Sequence, residues 1–583
     1  MFQSIRVCIL DAIRSASDLG DIAGVSEESI SIEQPREKVL GELATNAAMV
    51  FAERLRMTPR ALAENICEAL NKHLDVRQSE VAGPGFVNFS LNASAWQRVV
   101  AAVIETGDNY GKTNIGNNTS VNVEFVSANP TGPLHTGHAR NAVFGSVVAS
   151  LMEKIGYKVT REFYINDRGN QITLLAQSVL LRYKELLGES LQASEFTEDM
   201  YSGEYVKEIA RELLQNHGGG LLSTPNEELL ELARKFSVAK MLKKIKEDLR
   251  SLGVVMDKYT SETEVCDRDM VEEAVKILAK RGDVYEGVLP KPKGKVSTED
   301  DWEERPQTLF RSTKYGDDVD RTIKKSDGSW TYFAGDLAYH LDKIKRGYKA
   351  MIAVLGADHN GYVKRLKAAV SALSESEAAI DIRLYQLVNF LEDGKPIRMS
   401  KRSGNFITLR EVVDKVGKDV TRFMMISRHH DVMIDFDFAK VVECSMKNPL
   451  FYIQYAYARI CSVFRHSETI FGPIDREELA SCDKSVITDE AEISLIEALA
   501  FWPDAVGAAA VAIEPHRLAK SMREIASCFH FLWNRGKTNT ELRFIDKDSR
   551  ANTVARLSLL EATRCILEDG LNIMGITPLT EMT

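Results

Sequence analysis

The sequence predicts an α/β protein centred on a parallel, doubly wound sheet, with a smaller α/β domain before it and an all-α helical bundle after it. Three observations predict this. Val121, Val123 and Phe125 alternate with Asn122 and Glu124, the period of a strand, and a turn at Pro130-Thr131-Gly132-Pro133 follows. Val143, Val147, Leu151 and Ile155 then recur every four residues, as on one helix face, and further strand candidates stand at Val159 to Ile165 and Ala350 to Leu355. Strands alternating with helices pair in parallel, because each return connection crosses a face of the sheet. From about Asn448 onward only helical spacing remains, with Leu560, Leu567 and Leu571 on one face of the last helix and Gly570 near its end.

The chain of 583 residues is too long for one hydrophobic core. At roughly 150 residues per domain, three or four domains are expected. Residues 1–110 mix helical segments with a turn, Ala82-Gly83-Pro84-Gly85, that leads into Phe86-Val87-Asn88-Phe89. Asp108 to Asn118 is dense in turn formers and reads as a linker. Residues 111–405 form the sheet domain, interrupted at about 187–324 by a polar insertion with charged helical stretches such as Glu227 to Arg250 and a loop at Leu289 to Lys295. Residues 406–447 connect to the helical domain, 448–583.

The eight cysteines are scattered and form no C-x-x-C pair, so neither a zinc site nor a disulfide framework is readable. No long apolar run suggests a membrane span, and Asp11 and Arg14 interrupt the only apolar stretch at the start, which argues against a signal peptide. A cytoplasmic protein is expected. The net charge of −10 argues weakly against a dedicated nucleic-acid binder, although RNA binding needs only a local positive surface.

The strongest chemical signal is Asn129-Pro130-Thr131-Gly132-Pro133-Leu134-His135-Thr136-Gly137-His138, between a strand and a helix at the carboxyl edge of the sheet. Two histidines three apart in the first helical turn can donate to phosphate oxygens, beside the positive end of the helix dipole. Gly137 lets a flat ring approach the backbone. The second signal is Arg398-Met399-Ser400-Lys401-Arg402-Ser403-Gly404-Asn405. Alone, such a basic loop is most often solvated surface; paired with H-x-G-H in this order, it suits the pyrophosphate of a nucleoside triphosphate.

His135-Thr136-Gly137-His138 resembles the HIGH motif of class I aminoacyl-tRNA synthetases, and Met399-Ser400-Lys401-Arg402 resembles their KMSKS loop. The stretches Val123 to Ala142, Phe163 to Gln171, Thr331 to Lys343, Gly356 to Tyr362 and Asn448 to Arg459 narrow the resemblance to the arginyl-tRNA synthetase family. Gly41 to Met49 and the segment around Phe86 are similar to that family's additional N-terminal domain. Arg398 departs from the lysine usual at the loop's first position, and the tail from Pro578 to Thr583 does not match.

The resemblance implies a Rossmann-like catalytic domain, an N-terminal tRNA-binding domain and a helical anticodon-binding domain. It implies catalytic roles for His135, His138 and Lys401, and ATP contacts from Pro133, His135, Gly137, His138, Asp358, Met399 and Lys401. Asp358 matches the acid that binds the ribose hydroxyls; a cap for the next helix is the alternative. Arginine contacts are implied for Ser127, Asn129, His138, Tyr332 and Asp336. A guanidinium is a planar fork of donors that needs acceptors, so Asp336 suits it, with Tyr332 four residues earlier on the same helix face. Glu124, at the end of the first strand, is a candidate second carboxylate. Tyr452, Tyr455 and Arg459 share a helix face that either stacks on anticodon bases or is a buried aromatic stripe. His516, Arg517, Lys520 and Arg523 form a candidate phosphate-contacting patch.

The expected reaction is arginine activation and transfer to tRNA, an arginine–tRNA ligase activity. The partners are tRNA(Arg), L-arginine and ATP with Mg²⁺ as its substrate complex. No tightly bound cofactor, dedicated metal cage, membrane partner or editing domain is expected, and a monomer is. Two rival readings remain: another adenylate-forming enzyme with H-x-G-H, such as a small nucleotidyltransferase, and a tRNA-binding paralogue without catalysis. The two flanking domains argue against the first. His135, His138 and Lys401 argue against the second.

Overall fold

Gly83 sits at φ +56° and turns the chain back on itself, as the Ala82–Gly85 sequence predicts. In the computed structural model, which describes residues 2–16, 29–35, 41–190, 197, 199–289, 305–397 and 407–582, this turn joins two strands of an antiparallel sheet. Its strands are β1 (Leu43–Thr45), β2 (Val76–Ala82) and β3 (Phe86–Leu91), ordered β1-β3-β2. The helices Phe2–Ser15, Pro59–Leu70 and Ala93–Thr106 accompany it.

Next come β4 (Ser120–Glu124), β5 (Lys158–Ile165) and β6 (Lys258–Ser261). A small antiparallel sheet follows, made of β7 (Val284–Gly287), β8 (Gln307–Phe310) and β9 (Arg321–Lys324). Then come β10 (Ala350–Gly356), β11 (Ala379–Tyr385), β12 (Val388–Glu392), β13 (Lys395–Pro396) and β14 (Ile434–Asp437). The central sheet has the order β11-β10-β4-β5-β6 with every neighbour parallel. β4 comes first in the chain and lies between β5 and β10, so the order reverses at its edge, where sheets of this kind open a crevice.

The alternation in β4 does not divide core from solvent. Asn122 is buried and donates to Glu162 Oε2 at 2.6 Å, and Glu124 is buried as well. Helices cover both faces of a parallel sheet, so its polar residues need internal partners. The stretch 187–324 is not one continuous excursion either. β6 lies within it and pairs with β5 as the edge strand of the central sheet.

Among the described residues beyond Asn448 the structure is helical. The main helices are Pro449–Phe471, Glu490–Ala500, Trp502–Val511, His516–Thr538 and Arg550–Ile573. The segment Glu490–Val511 is apolar and long enough to cross a membrane by composition. It forms two helices whose Leu495, Leu499, Trp502 and Val506 are buried in the bundle. Leu560, Leu567 and Leu571 are fully buried. Gly570 does not end the last helix: a β-carbon there would meet Met522 Sδ at 2.1 Å and the Trp502 ring at 2.8 Å, so glycine permits close helix packing. The chain turns away at Gly575, φ +68°.

Two buried polar contacts join the bundle to the sheet domain through the helix Thr136–Lys154. Lys154 Nζ lies 2.6 Å from Asp569 Oδ1. Arg422 donates to Met574 O at 2.6 Å, Leu252 O at 3.0 Å and Ser146 Oγ at 3.2 Å.

Candidate active site

The carboxyl ends of all five central strands open into one cavity of about 1090 Å³. Glu124, Ser127, Asn129, Pro133, His135, Gly137, His138, Tyr332, Asp336 and Asp358 all line it. Met399 and Lys401 lie outside the described residues, as does Arg398.

A kink after β4 builds the floor. Val126 (φ 69°) and Ser127 (φ 40°) adopt left-handed backbone, which strains a β-branched residue. Fixed hydrogen bonds hold the strained pair. The Val126 amide donates to Asn141 Oδ1 at 2.8 Å, and Ser127 Oγ donates to Glu124 Oε1 while accepting from the Tyr164 amide, both at 3.1 Å.

His135 is the N-cap of the helix Thr136–Lys154. Its Nδ1 accepts from the Gly137 amide at 3.0 Å, and His138 Nδ1 accepts from the His135 amide at 3.2 Å. The rings lie 3.9 Å apart. In this reciprocal box each ring uses Nδ1 as its acceptor, which fixes both side chains at the helix terminus. A β-carbon at Gly137 would come within 2.8 Å of the His135 ring, so glycine preserves the histidine's position. Chain emerging from the Arg398–Asn405 segment runs beside this motif: Leu409 N donates to Leu134 O at 2.8 Å, and Thr136 N to Ile407 O at 3.2 Å.

Carboxylates line the cavity on one side. Glu124 is engaged by Lys343, whose Nζ lies 2.6 Å from Oε2. Behind it, Glu162 is buried, which alone would raise its pKa. Arg346, at 2.8 Å to both oxygens, and Lys343 pull it down to about 2. Asp336 and Glu262 differ: among the described residues neither has an ion-pair partner within 4 Å, although Arg365 and Arg168 act on them from farther away. Burial, helped by the charges of Glu124 and Glu262, pushes Asp336 up to about 7. Burial also raises Glu262, and the nearby Asp167 adds to this. The Tyr164 and Tyr339 rings, 4.4 Å apart, border the same space. Burial keeps His340 neutral, with a pKa of about 4. Tyr332 stands at the mouth, 66% exposed.

Asp358 lies in the short turn Ala357–Tyr362 after β10. Its exposed carboxylate lies 3.7 Å from His359, and the N-cap position of the helix Val363–Ser374 is held by Tyr362, with no side-chain cap bond. Asp358 therefore does not cap the helix Val363–Ser374.

Sequence reasoning missed Tyr164, Tyr339, Glu262, Gln386 and the pair Tyr201 and Tyr205, all on the cavity wall. A signal existed for some. Tyr332, Asp336, Tyr339 and Lys343 follow helical spacing on one face, and Glu262 directly follows a strand end, as Glu124 ends one.

Tyr452, Tyr455 and Arg459 stand apart from the cavity, half-buried on the helix Pro449–Phe471. The Arg459 guanidinium lies 4.1 Å from the Tyr455 ring and 4.7 Å from that of Trp533, and Tyr452 packs 4.5 Å from His530. Of the second patch, Arg517 is paired with Glu514, and the His516 ring abuts His429.

A doubly wound sheet, a histidine-capped helix at its switch point and a segment returning beside it define a class I tRNA synthetase catalytic domain. The family described as tRNA synthetases class I (R), catalytic domain, matches residues 99–447. The arginyl tRNA synthetase N terminal domain matches residues 3–91, and the DALR anticodon binding domain residues 453–582. An arginine–tRNA ligase of Parvibaculum lavamentivorans is 48% identical over 98% of both chains. One of Wolbachia pipientis wMel is 47% identical over the full length of both. The arginyl-tRNA synthetase of Thermus thermophilus has the same fold, with a TM-score of 0.71 at 19% identity over 99% of this chain and all of that one. This chain belongs to the arginyl-tRNA synthetase family.

Proposed function

We propose that the cavity activates L-arginine with ATP and passes the arginyl group to the 3′ end of tRNA(Arg), releasing AMP and pyrophosphate. The observation that carries this reading is the pair Asp336 and Glu262: two carboxylates without direct cations, beside aromatic walls and a histidine-capped helix terminus in one cavity. Such a site favours a cation with a flat donor fork. Asp336 and Glu262, with Glu124 behind them, face the guanidinium; Tyr332 covers it; Ser127, Asn129 and His138 orient the α-groups.

The arginine carboxylate attacks the α-phosphorus of ATP, and pyrophosphate leaves. A ribose hydroxyl of tRNA then attacks the acyl carbon, and AMP leaves. The protein's task is positioning and charge stabilisation. His135 and His138 donate to phosphate oxygens at the helix terminus, Pro133 and Gly137 border the adenine, and Asp358 accepts from the ribose hydroxyls. Met399 borders the nucleotide, and Lys401 meets the developing charge on pyrophosphate. Mg²⁺ arrives as the ATP complex, held by phosphate oxygens. Among the described residues no group of three or more His, Cys, Asp or Glu side chains could hold a metal ion.

Residues 1–110 and 448–583 hold the tRNA on either side of the catalytic domain, with Tyr452, Tyr455 and Arg459 as candidate contacts to unpaired anticodon bases. The working form is a cytoplasmic monomer without a membrane partner. The deciding experiment offers each of the twenty amino acids, radiolabelled, with ATP and bulk tRNA. Charging with arginine alone is the expected result. Charging with another amino acid, or none with arginine, refutes the reading.

A further inference from the structure

Three ligands must meet in this cavity: ATP, arginine and the unpaired 3′ end of an RNA strand. Charge accounts for two of its walls. The carboxylates suit the guanidinium, and the His135-capped helix terminus suits phosphate. A third wall carries no ionisable charge at neutral pH. It is formed by Tyr201 and Tyr205 with the backbone of Thr131 and Gly132.

Both tyrosines come from the inserted segment, Tyr205 in the first turn of the helix Glu204–His217 and Tyr201 in the chain just before it. Tyr205 is fixed. Its hydroxyl donates to Thr131 O at 2.9 Å, and a β-carbon on Gly132 would lie only 3.3 Å from that hydroxyl. Tyr201 is held from behind, its amide donating to Ser178 Oγ at 3.0 Å, which in turn donates to Leu174 O at 2.6 Å. Both rings back onto the cluster of Leu175, Val179, Val206 and Ile209. Among the described residues no other ring stacks on either tyrosine, and nothing bonds the Tyr201 hydroxyl. The wall therefore presents preplaced, half-buried aromatic surface to a cavity that an RNA end must enter.

Aromatic faces of this kind hold unpaired bases, because every base offers a π-face whatever its sequence. An uncharged wall is also where a polyanion can come close; the carboxylate side repels it. We propose that Tyr201 and Tyr205 form the seat of the 3′-terminal nucleoside of the tRNA, with Tyr201 stacking on the base and Tyr205 anchoring the wall to the turn that precedes His135. This rests on the function proposed above.

The test measures equilibrium binding of two tRNA(Arg) transcripts, one intact and one lacking its 3′-terminal nucleotide, to the full-length protein. Stacking of one base corresponds to roughly a tenfold difference in Kd between them. Wild type should show that ratio. Tyr201→Leu keeps apolar packing but has no ring, and should bind both transcripts equally, whereas Tyr201→Phe should restore the ratio. A wild type that does not distinguish the transcripts, or a Tyr201→Leu variant that keeps the full ratio, overturns the inference. Its failure is distinct from that of the functional reading, in which the wild type charges no tRNA with arginine.

Discussion

Lys343 and Glu124 form an enclosed ion pair on the floor of the cavity, 2.6 Å apart, with side chains 0% and 11% exposed. The Lys343 ammonium also lies 4.2 Å from the centre of the Tyr339 ring. The pair compensates the carboxylate nearest the end of β4 before any ligand arrives. Among the carboxylates around the end of β4, Asp336 and Glu262 are therefore the ones left without a direct cation.

Removing one member of such a pair strands the other charge in low dielectric. Lys343→Met should lower stability by ~3–5 kcal/mol in urea unfolding. Adding Glu124→Gln should recover at least half of that loss, because no charge is then stranded. A Lys343→Met variant as stable as wild type would show that solvent reaches Glu124.

Asp336 makes arginine binding depend on pH. Burial raises its pKa to about 7, so the free site is largely protonated below that pH. Arginine stays cationic throughout and favours the ionised carboxylate, so its binding releases a proton when it occurs below pH 7. The KM for arginine should fall as pH rises from about 6 to about 8 and then level off, while the KM for ATP changes little. Asp336→Asn should remove this dependence and raise the KM for arginine at pH 8 by the equivalent of ~2–4 kcal/mol. Steady-state kinetics across this range decide it. A wild-type profile that is flat in arginine assigns the cation to another acid.

β10 is legible as a continuous apolar run from Ala350 to Leu355 and β4 and β5 as apolar residues in period two, and the His135–His138 motif follows directly from its place after β4. β11 offered a similar pattern in Ile380, Ile382 and Leu384. β6 did not: it has only four residues, Lys258–Ser261, and its place in the sheet depends on backbone pairing with β5. Because that strand was hidden inside a polar insertion, Glu262 at its end was hidden too. The compensation of Glu124 was invisible for a similar reason, since Lys343 lies 219 residues away.

Lys401 should act mainly in the transition state. An ammonium that meets charge developing on pyrophosphate lowers kcat and kcat/KM together when removed. Lys401→Ala should lose ~10²–10³-fold in adenylate formation, and Arg398→Ala less. Single-turnover activation with saturating tRNA and arginine, across an ATP titration, measures both. Greater damage in Arg398→Ala would move the catalytic cation to the arginine.

Arg140 offers the last prediction, because a buried guanidinium bound only to backbone has a positioning task. It is fully buried on the helix that begins at His135, and burial lowers its pKa to about 10, so it remains charged at neutral pH. Its Nη1 donates to Gln386 O and Val432 O, and its Nη2 to His429 O, each at 2.8 Å. Gln386 and Leu387 line the cavity, and the Gln386 amide donates to His430 O at 2.8 Å, so the two segments are knitted together around the guanidinium. His429 continues the connection to the helical bundle through Glu514, 3.3 Å from its Nε2. Arg140 thus sets the distance between the phosphate-facing helix and the rim after β11, both of which line the cavity. Charge-assisted hydrogen bonds contribute ~1.5–3 kcal/mol each. Arg140→Gln keeps one donor group, so the rim should relax without unfolding, and the KM for ATP should rise roughly tenfold. The KM for arginine should stay within about twofold, because Asp336 and Glu262 stand on other elements. Arg140→Lys should recover part of the ATP effect through a point charge that reaches fewer carbonyls. ATP and arginine titrations of the three proteins, with thermal unfolding alongside, separate positioning from stability. If both substituted proteins melt earlier yet keep the wild-type KM for ATP, Arg140 supports the fold and does not position the rim.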